Sequence, residues 1–238
     1  MAIDVIMGHN RNTKDDPVAI AAGSIEVVLR LTSGLEVLMQ ILETTTPAIV
    51  FSPLLRQYTL EELWALPEPE DRSHYELIGG NLFMVPPPDP PHGDFDDRLT
   101  KSLVRFLLAA GDPGRVYHPR EPIYTERTYL EPDMMYVSNE LAARMGKRRT
   151  SADIVFEYLS ESNATYDRTT KADTYLALGV REYWLIDAKT LTIEVRNPIA
   201  KANALVWEIR RAGKGSWAES RVLEGWRVSV DELFAELV

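Results

Sequence analysis

Between residues 133 and 187 the chain alternates short apolar runs with a helix-spaced segment, and charged groups sit at the ends of the runs. Asp133 opens the run 133–137, and Glu157 stands near the end of the run 153–158. Residues 166–178 place apolar side chains at helical spacing and carry Lys171, with Gly179 as the stop. The run 182–187 is strand-like again. Short apolar runs between turn formers read as buried strands, and a 3.6-residue period reads as helix. Strands and helices in this order predict an α/β or α+β fold, a mixed central sheet flanked by helices.

The rest of the chain extends that plan. Thr59 is a good N-cap for a helix over 60–66, which has Glu61 and Glu62 in its first turn and Pro67 beyond it. Residues 75–78 and 82–85 flank Gly79-Gly80-Asn81 as a strand–turn–strand. A helix follows over 92–110, with a stripe of Leu99, Leu103, Phe106 and Leu107. Strands are expected at 115–118, 122–125, 191–196, 204–210 and 217–223, and a closing helix at 230–237. Residues 1–57 form an expected N-terminal extension, loosely ordered at first. Within it, 25–42 fits a hairpin by alternation and a helix by spacing, and the hairpin is the preferred reading. The compact domain spans 58–238. Met39 offers an alternative start of translation.

Bulk properties narrow the function classes. No cysteine is present, so disulfides, thiolate metal sites and cysteine nucleophiles are excluded, which fits a cytoplasmic protein. The most apolar stretch, 18–42, is interrupted by Glu26, Arg30 and Glu36, so no membrane partner is expected. A net charge of −10 argues against a protein that coats nucleic acid electrostatically. It does not exclude an enzyme whose carboxylates hold a metal.

That chemistry is what the charged residues suggest. Hydrolysis of a phosphodiester needs charge stabilisation and an activated water, and magnesium supplies both through oxygen ligands. Two converging carboxylates repel each other unless a proton or cation lies between them. Asp133 and Glu157 would converge if their strands are neighbours, and the Tyr158 carbonyl would add a third oxygen. A lysine two residues beyond such a glutamate would complete a metal nuclease, but Leu159 stands there. Lys171, on the following helix, would fill that place, with Tyr175 one turn away on the same face.

From about residue 58 to 237 the sequence resembles the Uma-two family of restriction-endonuclease-like proteins, in the PD-(D/E)XK nuclease superfamily. The resemblance rests on an ordered set: Tyr75-Glu76-Leu77-Ile78-Gly79-Gly80, His92, Pro132-Asp133, Glu157-Tyr158-Leu159-Ser160, Asp167 with Lys171 and Tyr175, Gly179 through Glu182-Tyr183-Trp184-Leu185-Ile186-Asp187, and Gly225 through Asp231-Glu232-Leu233. Gly79 and Glu161-Ser162-Asn163 depart from the family pattern. The resemblance implies a restriction-endonuclease-like core, with metal carboxylates at Asp133 and Glu157 and a lysine displaced to Lys171. It adds Glu76 to the catalytic set and His92 as an accessory residue. The expected activity is a Mg²⁺- or Mn²⁺-dependent endonuclease on DNA, working as a homodimer where both strands are cut. The rival is a nucleic-acid-binding module that keeps the fold without turnover. A third reading treats the charges as a buried ion network.

Other residues carry plainer expectations. Asp167 is expected to cap its helix or pair with Arg168 rather than meet a metal. Tyr183 and Trp184 are expected in the core. Arg144, Lys147, Arg148 and Arg149 form the dense basic cluster of an acidic chain. It reads most simply as a solvated loop, or as a nucleic-acid contact tracking phosphates.

Overall fold

A computed structural model describes residues 56–87 and 92–235, with the side chains of 92–94 outside that set. The expected hairpin at 25–42 lies outside the described residues. Helix α1 (Leu60–Trp64) begins with a capping box: the Thr59 side chain accepts from the Glu62 amide, and the Glu62 side chain accepts from the Thr59 amide. It buries Leu60 and Leu63 and ends earlier than expected, with Ala65 as its C-cap. Strands β1 (His74–Ile78) and β2 (Asn81–Val85) form the expected hairpin. Its turn needs Gly79 and Gly80, whose φ angles are 58° and 89°.

Helix α2 (His92–Ala109) buries Phe95, Leu99, Leu103 and Leu107 along one stripe. Then come β3 (Gly114–Tyr117), β4 (Ile123–Tyr124), β5 (Tyr129–Leu130), β6 (Met134–Ser138), α3 (Asn139–Met145) and β7 (Ile154–Tyr158). The segment after β7 is helix α4 (Ala164–Tyr166), a π-helical turn (Asp167–Lys171) and helix α5 (Ala172–Ala177). Strands β8 (Glu182–Asp187), β9 (Thr192–Lys201), β10 (Ala204–Ala212), β11 (Trp217–Glu219) and β12 (Arg227–Ser229) follow, and α6 (Val230–Leu233) ends the described chain.

The central sheet is mixed, in the order β10-β9-β8-β7-β6-β3. Within it β7 and β8 are the parallel pair, joined by the crossover that carries α4, the π-helical turn and α5, whereas β6 and β7 pair antiparallel across α3. β1, β2, β4 and β5 make a second, antiparallel sheet. Strand alternation then sorts the core into two faces. Ile154, Phe156, Tyr158, Trp184 and Ile186 pack with the α2 stripe, while Val155, Leu159, Tyr183 and Leu185 pack with Ala172 and Tyr175 of α5. Tyr183 and Trp184 are therefore core residues, as expected. Among the described residues no helix is long and apolar enough to cross a membrane.

Candidate active site

Glu157 owes its position to alternation. It lies between two residues of the α2-facing layer, Phe156 and Tyr158, so its side chain joins the α5-facing layer with Val155 and Leu159. The β6–β7 register pairs Met134 with Phe156, and one step back along it puts Asp133 opposite Glu157. Asp133 Oδ2 also accepts the Tyr158 amide at 2.6 Å, which fixes it at the strand end.

The π-helical turn supplies the other half. Asp167 and Lys171 lie one turn apart and are both buried, at 1 % and 2 % exposure. π turns inside α-helices recur at functional sites because they re-aim side chains. Here Lys171 Nζ stands 2.9 Å from Glu157 Oε1, 3.2 Å from Glu76 Oε1 and 3.6 Å from Asp167 Oδ1. Two of these partners are themselves held. Tyr175 donates its hydroxyl to Glu157 Oε1 at 2.7 Å. Glu76 accepts the Glu131 amide and the Tyr166 hydroxyl, both at 3.0 Å. Three carboxylates thus surround one ammonium, and Asp133 adds a fourth acid opposite Glu157.

The electrostatics follow from that imbalance. Burial works to raise Glu76, but Lys171, His74 and the Glu131 amide hold its carboxyl below the ordinary range. Burial works to lower Lys171, and Glu157 and Glu76 outweigh it, so the ammonium stays protonated well above its ordinary value. The remaining acids lack enough positive charge. Asp133 keeps a partly exposed edge, yet burial and the charge of Glu157 push it well above the ordinary range. Burial also raises Glu157, against the pull of Lys171. Asp167 is pushed up to about 8 by burial and by Glu157 and Glu76, with Lys171 opposing. Neither Asp167 oxygen has a hydrogen-bond partner.

Such a cluster needs protons or a further cation. Its oxygens are hard donors suited to Mg²⁺. Among the described residues no three His, Asp or Glu side chains form a ready-made cage. What Asp133, Glu157 and the Tyr158 carbonyl offer is an open set, the kind magnesium completes with water and phosphate. The residues present fit that ion.

The sequence-predicted residues Glu76, Glu157, Lys171 and Tyr175 come together, and Asp133 joins them by register. His92 opens α2, and its side chain lies outside the described residues. The basic cluster separates: Arg144 pairs with Glu140 at 3.8 Å, and Arg149 is tied to Glu121, the Pro122 carbonyl and the Tyr117 ring. Lys147 and Arg148 are exposed. Among the described residues no hydrogen bond or ion pair joins these four to the acid–lysine cluster.

Asp167 is a correction. It neither caps the helix, which Asn163 precedes, nor pairs with Arg168, which turns to Asp187 and Glu194. It faces Lys171 instead. Tyr166, bound to Glu76, was missed altogether; its place one turn before Thr170 and Lys171 was the available signal.

The model of the Uma2 family, described as "Putative restriction endonuclease", matches residues 60–237. The crystal structure of "a putative nuclease belonging to DUF820" from Anabaena variabilis ATCC 29413 has the same fold. It aligns with a TM-score of 0.60 and 19 % identity, over 76 % of this chain and 99 % of that one. No curated protein matches the sequence.

Proposed function

This chain belongs to the Uma2 family, and we propose that it is a magnesium-dependent endonuclease hydrolysing phosphodiester bonds of DNA. The observation that carries this reading is the meeting of Lys171 with Glu157, opposite Asp133, in a site where acid outnumbers base. Asp133, Glu157 and the Tyr158 carbonyl would hold Mg²⁺ or Mn²⁺. The ion would neutralise the scissile phosphate and polarise water when bound.

The other roles belong to the chain's own groups. Lys171 is held protonated, so it does not act as a base. It orients the attacking water and stabilises negative charge as it develops on the phosphate. Glu76 positions Lys171, and Tyr166 positions Glu76. Tyr175 fixes the Glu157 carboxylate. Scission of both strands takes two sites, which a C₂ pair of chains would supply.

Plasmid nicking with and without Mg²⁺ or Mn²⁺ tests the assignment, comparing the wild type with Asp133→Ala, Glu157→Ala and Lys171→Ala. Nicking only by the wild type with metal is expected. Equal activity in all four proteins would sink the assignment. A second reading has its own observation: Glu157 and Lys171 are each only 2 % exposed, as in a buried ion network. That network, or a binding module without turnover, predicts no nicking; the network also predicts a melting temperature indifferent to EDTA and metal.

A further inference from the structure

A second charged cluster lies on the same face of the sheet. The β7–β8, β8–β9 and β9–β10 registers pair Glu157 with Leu185, Leu185 with Glu194, and Glu194 with Arg211. One row across the sheet therefore runs from Asp133 through Glu157 to Glu194 and Arg211. Neighbouring strands are about 4.8 Å apart, so Glu194 lies roughly 10 Å from Glu157 along that row.

Three arginines converge on Glu194. Arg196 reaches Oε1 at 2.6 Å through Nε, Arg211 reaches Oε2 at 2.7 Å, and Arg168 reaches Oε2 at 3.2 Å. Arg168 also meets Asp187 at 3.4 Å, at the carboxyl end of β8. Three guanidinium groups face two carboxylates, so the cluster carries surplus positive charge beside a site of surplus negative charge. Arg196 and Glu194 are buried, at 7 % and 4 % side-chain exposure, whereas Arg168 is 32 % and Arg211 69 % exposed. The buried pair anchors; Arg211, held through Nε, is largely exposed, and Arg168 is partly exposed with its two terminal nitrogens on Glu194 and Asp187. Arg168 follows Asp167 in the π-helical turn, so the same element that delivers Lys171 delivers this arginine. Planar, fixed guanidinium groups suit phosphate oxygens.

We propose that Arg211 and Arg168, braced by Glu194 and Arg196, grip a backbone phosphate of the DNA strand that enters the acid–lysine site. This inference rests on the nuclease reading of that site. It gives an acidic protein a local anion contact in register with its metal carboxylates. Such a contact carries no sequence information.

Duplex binding in EDTA, followed by fluorescence anisotropy over a KCl series, tests the grip. Arg211→Ala should weaken binding several-fold and equally for unrelated duplexes. It should lower the slope of log Kd against log salt by about 0.9, the value of one lost phosphate contact. Arg211→Lys should restore the slope, and Arg211→Glu should weaken binding further. Glu194 keeps Arg168 and Arg196 in these variants, and an unchanged thermal midpoint checks the fold. Wild-type affinity and slope in Arg211→Ala and Arg211→Glu would overturn the proposal, as would a wild type that binds no duplex. Plasmid nicking in Mg²⁺ separates the two claims. Nicking with an Arg211-independent slope defeats the grip alone, and an Arg211-dependent slope without nicking defeats the nuclease reading alone.

Discussion

Lys171 Nζ stands 2.9 Å from Glu157 Oε1, although the two come from different elements. The strand position that would bring a lysine to that glutamate, residue 159, holds a buried leucine packed among Val155, Ala172 and Tyr175. The π-helical turn supplies the cation from above the sheet instead. The cluster therefore depends on tertiary packing of the crossover against β7, not on a local motif.

Removing that cation should be costly. Lys171→Met leaves Glu76, Glu157 and Asp167 buried without their ammonium. Breaking a buried pair from one side costs about 3–5 kcal/mol. Urea denaturation at pH 8 should show a loss of that order, and a smaller one at pH 5, where the raised carboxyls can take up protons. Equal losses at both pH values would mean that the acids are not charged in the folded protein.

Metal-free stability should fall as pH rises. Between the ordinary value of 3.8 and about 8, Asp167 is deprotonated when unfolded and protonated when folded. The folded state then binds more protons, so its contribution is full below 3.8 and is lost through about 8. Asp133 and Glu157, also raised, act with the same sign. Thermal melts in EDTA should decline across this window, and Asp167→Asn should flatten the decline. Mg²⁺ should raise the midpoint more at pH 8 than at pH 6, since ligands must lose their protons to bind it.

Tyr175→Phe should isolate one support of the site. It deletes a buried hydroxyl that donates to Glu157 at 2.7 Å while keeping the ring in the core. Hydrogen bonds to charged groups contribute about 1.5–3 kcal/mol. Equilibrium unfolding should show a loss in that range, and Mn²⁺ affinity should weaken with it. A variant as stable as the wild type would mean that water replaces the hydroxyl freely.

Much of this was legible in the sequence because strand alternation and helix spacing are local. Asp133, Glu157 and Lys171 could be read as ends and faces of elements before any contact was known. Asp167 reads as a capping acid because a regular helix beginning at Tyr166 puts it in the first turn, whereas the helix begins at Ala164 and widens into a π turn. β5 and β12 escaped because two- and three-residue strands show no period. The Glu194 arginines escaped for another reason: cross-strand register sets which residues share a row, and register is not written in any one strand.

The central claim is that Asp133 and Glu157 hold a divalent cation. Calorimetric titration with Mn²⁺ at pH 8, on the wild type and on Asp133→Asn, tests it most directly. Saturable binding that Mg²⁺ displaces, and that Asp133→Asn loses while remaining folded, is the predicted result. Binding of equal strength in both proteins, or none in the wild type, would contradict the account.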